Sequence, residues 1–288
     1  MPDCPCQSAM IPPGNWGMHW GTMTFSRTRS PVGEFLTLTN DSWVGHSIRE
    51  YAEWSYGEIE TLAQLLTPES NVIEAGSNIG SHTVFIARDL CPKGQVFAFE
   101  PRRIVFQLLC GNLVLNGITN VHAYQMGVGD KEETISEAAL PLDIETNFGA
   151  YAAGAIKGDQ EILKLIPLDS MLHELPRIRL IKADVEGYEA NLLHGATQLI
   201  ARDRPVLYLE NDRPDKSEEL LTLVSSLGYQ SYWHIPVLYR ANNFTQNPVN
   251  HFPTVASFNI LCLPQEAKWT ISGSDPITDF KQHPLAKT

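Results

Sequence analysis

Four carboxylates and one histidine close short apolar runs in this chain: Glu74, Glu100, Asp184 and Glu210, then His234. In an open α/β sheet the carboxyl ends of the strands form the rim of the ligand crevice. A carboxylate there can accept from two neighbouring hydroxyls at once, or face an ammonium. It can also take the proton of an alcohol whose oxygen is forming a new bond. Asp184, Glu210 and His234 are therefore the candidate general bases, and only His234 has an ordinary pKa near neutrality. A histidine packed beside Trp233 with a structural hydrogen bond is the competing reading. Asp184 can equally be a ligand contact. Asp184, Glu210 and a neighbour such as Asp212 could hold Mg²⁺ only if they converged. A divalent metal is therefore possible but not expected.

The elements that must position these groups follow from the pattern. Asn71 to Gly80 opens with the apolar pair Val72-Ile73, a buried parallel strand. It turns through Gly76 and Gly80 into a helical stripe of Ile79, Thr83, Ile86, Ala87 and Leu90. Strand, glycine turn and helix make the nucleotide-binding corner of a doubly wound sheet. Gly76 would let the backbone approach a ligand, and the helix beyond would offer free N–H groups. A dinucleotide turn wants Gly-x-Gly-x-x-Gly; here Asn78 replaces the second glycine and Gly80 comes one position early, which disfavours a dehydrogenase.

Gln95 to Glu100 reads as the second strand, with Glu100 placed to accept ribose hydroxyls. A helix spans Ile104 to Leu115, and Val121 to Gln125 is the third strand, with Met126 and Gly127 beside an adenine. Residues 130 to about 160 form an active-site excursion containing Asn147-Phe148-Gly149. Ile162 to Ile166 is a short extra strand, and Leu168 to Leu175 a short helix. Ile178 to Asp184 is the fourth strand, with Lys182 expected to point to a margin. Val206 to Leu209 is the fifth, and Tyr229 to Trp233 and Ser257 to Leu263 are the last two, joined by a long loop. The expectation is one α/β domain with a doubly wound, seven-stranded, mostly parallel sheet.

Residues 1–50 read as an N-terminal extension, with a hairpin or flap from runs at Met23 to Phe25 and Phe35 to Thr39. Residues 51–265 form the main domain, and 266–288 a loosely attached polar tail. A helix is expected from Tyr51 to Leu66. Tyr51 and Trp54 before its apolar face either pack the flap or wall the site; with Asn147 and Trp233 they are the substrate-side candidates.

The chain has 288 residues, 43% of them hydrophobic and 19% charged, as expected for a protein with a sizeable core. Its net charge of −12 argues against nucleic acid and against polybasic membrane attachment. Five scattered cysteines give no disulfide framework. Cys4 and Cys6 lack further ligands at metal spacing. The start has neither a basic region nor an apolar core, and a cytoplasmic location is expected. Nothing in the sequence marks oligomeric state; a homodimer is compatible with it.

Glu-x-Gly-x-Asn-x-Gly at 74 to 80 is similar to motif I of class I S-adenosylmethionine-dependent methyltransferases, whose cofactor has an amino-acid end and no pyrophosphate. Together with Phe-Ala-Phe-Glu-Pro at 97 to 101 and Ile-Lys-Ala-Asp-Val-Glu-Gly at 181 to 187, the chain resembles the FkbM family from about residue 50 to 265. Glu74 and Ser77 stand where Asp and Ala are usual, and Ala183 replaces a bulkier residue. The resemblance implies a Rossmann-like fold and O-methylation of a hydroxyl on a small molecule or sugar, with S-adenosylhomocysteine as product. Glu74, Gly76, Ser77, Asn78, Gly80, Glu100, Met126, Gly127 and Asp184 are the cofactor candidates it implies. The alternatives are methylation of nitrogen or protein, or a non-catalytic cofactor-binding module.

Overall fold

Apolar runs of four to six residues, each buried on both faces, build the centre of the molecule. The computed structural model describes residues 25–148, 159–267, 269 and 271–286; the expectations on Cys4, Cys6, Met23 and Gly149 fall outside them. β1 (Phe25–Ser30) and β2 (Gly33–Leu38) form an antiparallel hairpin. α1 (Val44–Tyr51) and α2 (Tyr56–Leu62) follow. β3 (Val72–Ala75) leads to α3 (Thr83–Phe85), which continues as a π-helical turn, Ile86–Leu90. Then come β4 (Val96–Phe99), α4 (Arg103–Leu115), β5 (Val121–Tyr124), β6 (Gly127–Val128), β7 (Glu133–Ala138) and β8 (Gln160–Ile166). After a 3₁₀ turn at Leu168–Met171 the chain runs through β9 (Leu180–Ala183), α5 (Glu189–His194), α6 (Thr197–Asp203) and β10 (Val206–Glu210). It ends with α7 (Pro214–Ser226), β11 (Tyr229–His234) and β12 (Asn259–Pro264).

The main sheet has seven strands in the order β11-β12-β10-β9-β3-β4-β5. Only β12 runs against its neighbours; the pairs from β10 across to β5 are parallel. The doubly wound fold class read from the sequence is thus present, with the topological switch between β3 and β9. Alternate residues of each strand feed two cores: Ile73, Ile181 and Leu207 pack on α5 to α7, while Val72, Leu180 and Val206 pack towards Ile59, Phe85 and Leu109. Burial on both faces explains why these strands are continuous apolar runs.

Four departures from the sequence reading bear on the site. The helix expected over 51 to 66 is broken: Ala52 and Ser55 take left-handed φ values of 60° and 40°, so 52–55 is a turn between two helices. That turn buries Glu53 against Arg240, at 2.7 and 2.8 Å. The excursion after 130 contains β7 as well as β8, and with β6 they make a second, three-stranded sheet. Lys182 does not reach a margin; it is 2% exposed and paired across the sheet with Glu74. The C-terminal segment is not loose: Ile277 donates to Ser231 O at 2.8 Å, and His283 bonds Asn211 O at 2.8 Å.

Candidate functional site

A cavity of about 540 Å³ opens at the carboxyl ends of β3, β4, β9 and β10. Glu74, Gly76, Ser77, Asn78, Glu100 and Gly127 line it on one side. Asp184, Glu186, Glu210 and Asp212 line it on the other. The two groups sit on either side of the β3–β9 junction, which joins them in one crevice.

The first half is built by a turn that uses its own amides. Gly76 and Ser77 donate to Phe99 O at 2.9 and 3.0 Å, and Asn78 donates to Glu100 Oε2 at 3.1 Å. Ile79 donates to Asn78 Oδ1 at 2.7 Å and Gly80 to Ser77 O at 2.9 Å. Residues 76 to 80 thus spend their amides internally, and the helix whose N-terminus is expected to offer free N–H groups starts at Thr83. Gly76 is required by a neighbour. Its φ is +78°, and a Cβ there would stand 1.8 Å from the backbone oxygen of Asp184. Glycine thus lets the end of β3 lie against the end of β9.

Glu100 follows β4 directly and is 6% exposed. Its Oε1 accepts the Arg102 amide at 2.8 Å, so each carboxylate oxygen holds one backbone donor. Burial nevertheless lifts its pKa to about 7, against the pull of those amides. Glu74 is 1% exposed and accepts Thr83 Oγ1 at 2.6 Å. Burial raises it to about 7 as well, opposed by the Lys182 ammonium.

The second half is acidic. Burial and the Asp184 charge raise Glu186 to about 8, against its ion pair with Arg213. Burial, then Asp184, Glu186 and Asp212, push Glu210 well above the usual carboxylate range. One carboxylate oxygen each from Asp184, Glu186 and Glu210 can be found within 4.8 Å of the others. Lys182 supplies positive charge, its Nζ lying 3.8 Å from Asp184 Oδ2 and 3.9 Å from Glu58 Oε2.

Of the remaining sequence candidates, Trp54 and Asn147 line the cavity, whereas Gly80, Met126, Tyr51, Trp233 and His234 do not. The Tyr51 hydroxyl donates to Val249 O at 2.9 Å and receives the His251 amide at 2.7 Å. Trp233 packs edge-on to His283 at 5.0 Å. His234 spends both ring nitrogens, Nδ1 on the Tyr208 hydroxyl at 2.7 Å and Nε2 on Thr61 Oγ1 at 2.9 Å. Burial lowers its pKa. This placement favours the packed histidine that the sequence left as the competing reading. Lining residues that sequence reasoning passed over include Lys182, Glu186, His82, Arg102, Phe258 and Leu285. The signal for Lys182 was present: a lysine inside an apolar strand is costly unless carboxylates meet it.

A family model described as the methyltransferase FkbM domain matches residues 74–231. Over 147 residues the chain is 29% identical to "Methyltransferase 1" of Beauveria bassiana, covering 44% of this chain and 58% of that protein. Over 149 residues it is 29% identical to "Hexuronic acid methyltransferase AglP" of Haloferax volcanii, covering 50% of this chain and 58% of that one. The chain therefore spans less than two thirds of the length of these relatives. Methyltransferase FkbM from Methylobacillus flagellatus aligns structurally with a TM-score of 0.45 at 17% identity, over 68% of this chain and 44% of that one.

Proposed function

The chain belongs to the FkbM methyltransferase family, and on that premise we propose that it methylates a hydroxyl of a small molecule or sugar, with S-adenosylmethionine as donor. The observation that carries this reading is the single cavity with two polar halves, one suited to the donor and one to an acceptor. Its volume lies in the range of small-molecule sites. The first half fits the donor. Glu100 keeps acceptor capacity on both oxygens for the ribose hydroxyls, after one amide bond to each. Glu74 offers a carboxylate to an ammonium group, and Gly127 lines the wall beside the adenine position.

When bound, the donor supplies an electrophilic sulfonium methyl. The chain's own residues then have three tasks. Trp43, Trp54 and Phe148 line the cavity with apolar surface and limit water. The acidic half holds acceptor hydroxyls by hydrogen bonds. Asp184 borders both halves and takes the hydroxyl proton as the oxygen bonds to carbon. An amine acceptor would not need a base held beside the donor, which favours oxygen over nitrogen. Likeness to the Haloferax hexuronic acid methyltransferase supports a sugar-like acceptor.

The test is transfer of a labelled methyl group from S-adenosylmethionine into a cell extract, with the product identified by mass spectrometry. A product methylated at oxygen is expected. Methylation at nitrogen would refute the acceptor class, and failure to bind either S-adenosylmethionine or S-adenosylhomocysteine would refute the whole reading.

A further inference from the structure

The geometry points to a site for one divalent cation of the oxygen-preferring kind, such as Mg²⁺, Mn²⁺ or Ca²⁺, held by Asp184, Glu186 and Glu210. The ion's purpose rests on the methyl-transfer reading; its binding does not. Each residue brings one carboxylate oxygen into a group whose members all lie within 4.8 Å of one another. Ions with metal–oxygen distances of roughly 2.0–2.6 Å hold their ligands at about that separation. Parallel pairing of β9 with β10 creates the grouping, by setting the residues just past β9 beside the last residue of β10.

Glu210 gives an independent sign. The residue as a whole is half-buried, but its carboxyl is the enclosed part. Its Oε2 exposes less than 1 Å² and has no hydrogen-bond partner among the described residues. A carboxylate oxygen cut off from water and given no donor is a costly arrangement, relieved when a positive group fills the space before it. Glu210 also lines the cavity.

Charge agrees. Asp212 adds a fourth carboxylate to this end of the cavity. Two cations face the four. Lys182 stands 3.8 Å from Asp184, while Arg213 is paired with Glu186 and lies 3.7 Å from Asp212. The carboxyl groups outnumber the cations at this end, and Lys182 is also shared with Glu58. The group contains no histidine or cysteine, which favours a hard ion over zinc or copper. Three carboxylates leave coordination positions for neighbouring hydroxyls of an acceptor. A carboxylate bound through one oxygen keeps the other, so Asp184 can hold the ion and still receive the hydroxyl proton.

The experiment uses the full chain, freed of metal by a chelator, with Mn²⁺ as the probe because electron paramagnetic resonance reads its unbound fraction directly. Saturable binding of one Mn²⁺ per chain is expected, displaced by excess Mg²⁺. Glu210→Gln should weaken it about tenfold or more. Glu186→Gln should do the same, which keeps the test decisive if the Glu210 variant fails to fold; circular dichroism reports folding of each. No saturation at millimolar Mn²⁺, or parental affinity in both variants, overturns the site. Calorimetric titration with S-adenosylhomocysteine runs alongside. Mn²⁺ binding without nucleoside binding would leave the cation site standing and sink the methyl-transfer reading.

Discussion

Glu100 shows how burial turns a binding carboxylate into a pH-dependent one. Because its folded pKa is raised to about 7, the empty protein keeps a proton that the unfolded chain has already lost. The group therefore costs stability as pH rises from the ordinary carboxylate value to about 7. Donor binding runs the other way, since ribose hydroxyls donate best to the ionised form. Affinity for S-adenosylhomocysteine should rise with pH up to about 7 and flatten above it, with Glu74 adding a slope of the same sign. Glu100→Gln should flatten part of that slope and weaken binding by about 1.5–3 kcal/mol. Calorimetry across this range decides: an unchanged slope in the variant would take Glu100 off the ribose. The acceptor side gives a paired comparison. Asp184→Asn should lower the single-turnover rate by roughly a hundredfold or more, with a smaller loss of donor affinity. His234→Ala should leave that rate near the parent's, because both nitrogens of His234 are tied to Tyr208 and Thr61. The opposite ranking would make His234 the base.

The strands of the main sheet were legible because burial on both faces leaves a plain apolar run. Among the covering elements α4 and β8 were legible as well, but the contacts and breaks that place the hairpin and the first helices were not, because their signals are local and polar. The hairpin of β1 and β2 is held by two asparagines, Asn112 in α4 and Asn116 just past its end, acting as a mock sheet edge. Asn112 accepts the Leu36 amide at 2.6 Å and donates to Leu36 O at 3.1 Å and Ile79 O at 2.7 Å. Asn116 does the same for Glu34, at 3.0 and 2.7 Å. In the sequence both asparagines look like ordinary helix-end residues. The break between α1 and α2 was hidden for a similar reason, as neither Ala52 nor Ser55 advertises a left-handed turn. Asn112→Ala should cost roughly 2–3 kcal/mol, because a buried amide and carbonyl lose their partners. It should also speed hydrogen exchange in residues 25–38 more than in the main sheet. Uniform exchange across both would mean that the asparagine is not what docks the hairpin.

Around the cavity the molecule is tied together by charges that no single element contains. Lys182 on β9 lies 3.9 Å from Glu58 on α2 and 3.8 Å from Asp184. Glu58 also approaches His82, just before α3, at 4.0 Å, and Lys182 is in register with Glu74 on β3. Burial lowers the lysine's pKa, yet Glu58, Asp184, Glu74 and Glu210 more than reverse this, so it stays charged at neutral pH. The carboxylates at strand ends could be read from the sequence, but this partnership could not, since Glu58 and Lys182 are 124 positions apart. Removing one member of a buried pair leaves the other uncompensated, at a cost of about 3–5 kcal/mol. Glu58 is 3% exposed, so a charge left on it without Lys182 would be poorly solvated. Lys182→Met should therefore lower stability by an amount in that range, read from the urea midpoint at unchanged slope. Glu58→Gln in the same chain should restore part of it, because the stranded charge is gone. If the two losses simply add in the double variant, Lys182 and Glu58 are not coupled. The charge of Lys182 would then be answered on the cavity side alone, by Asp184.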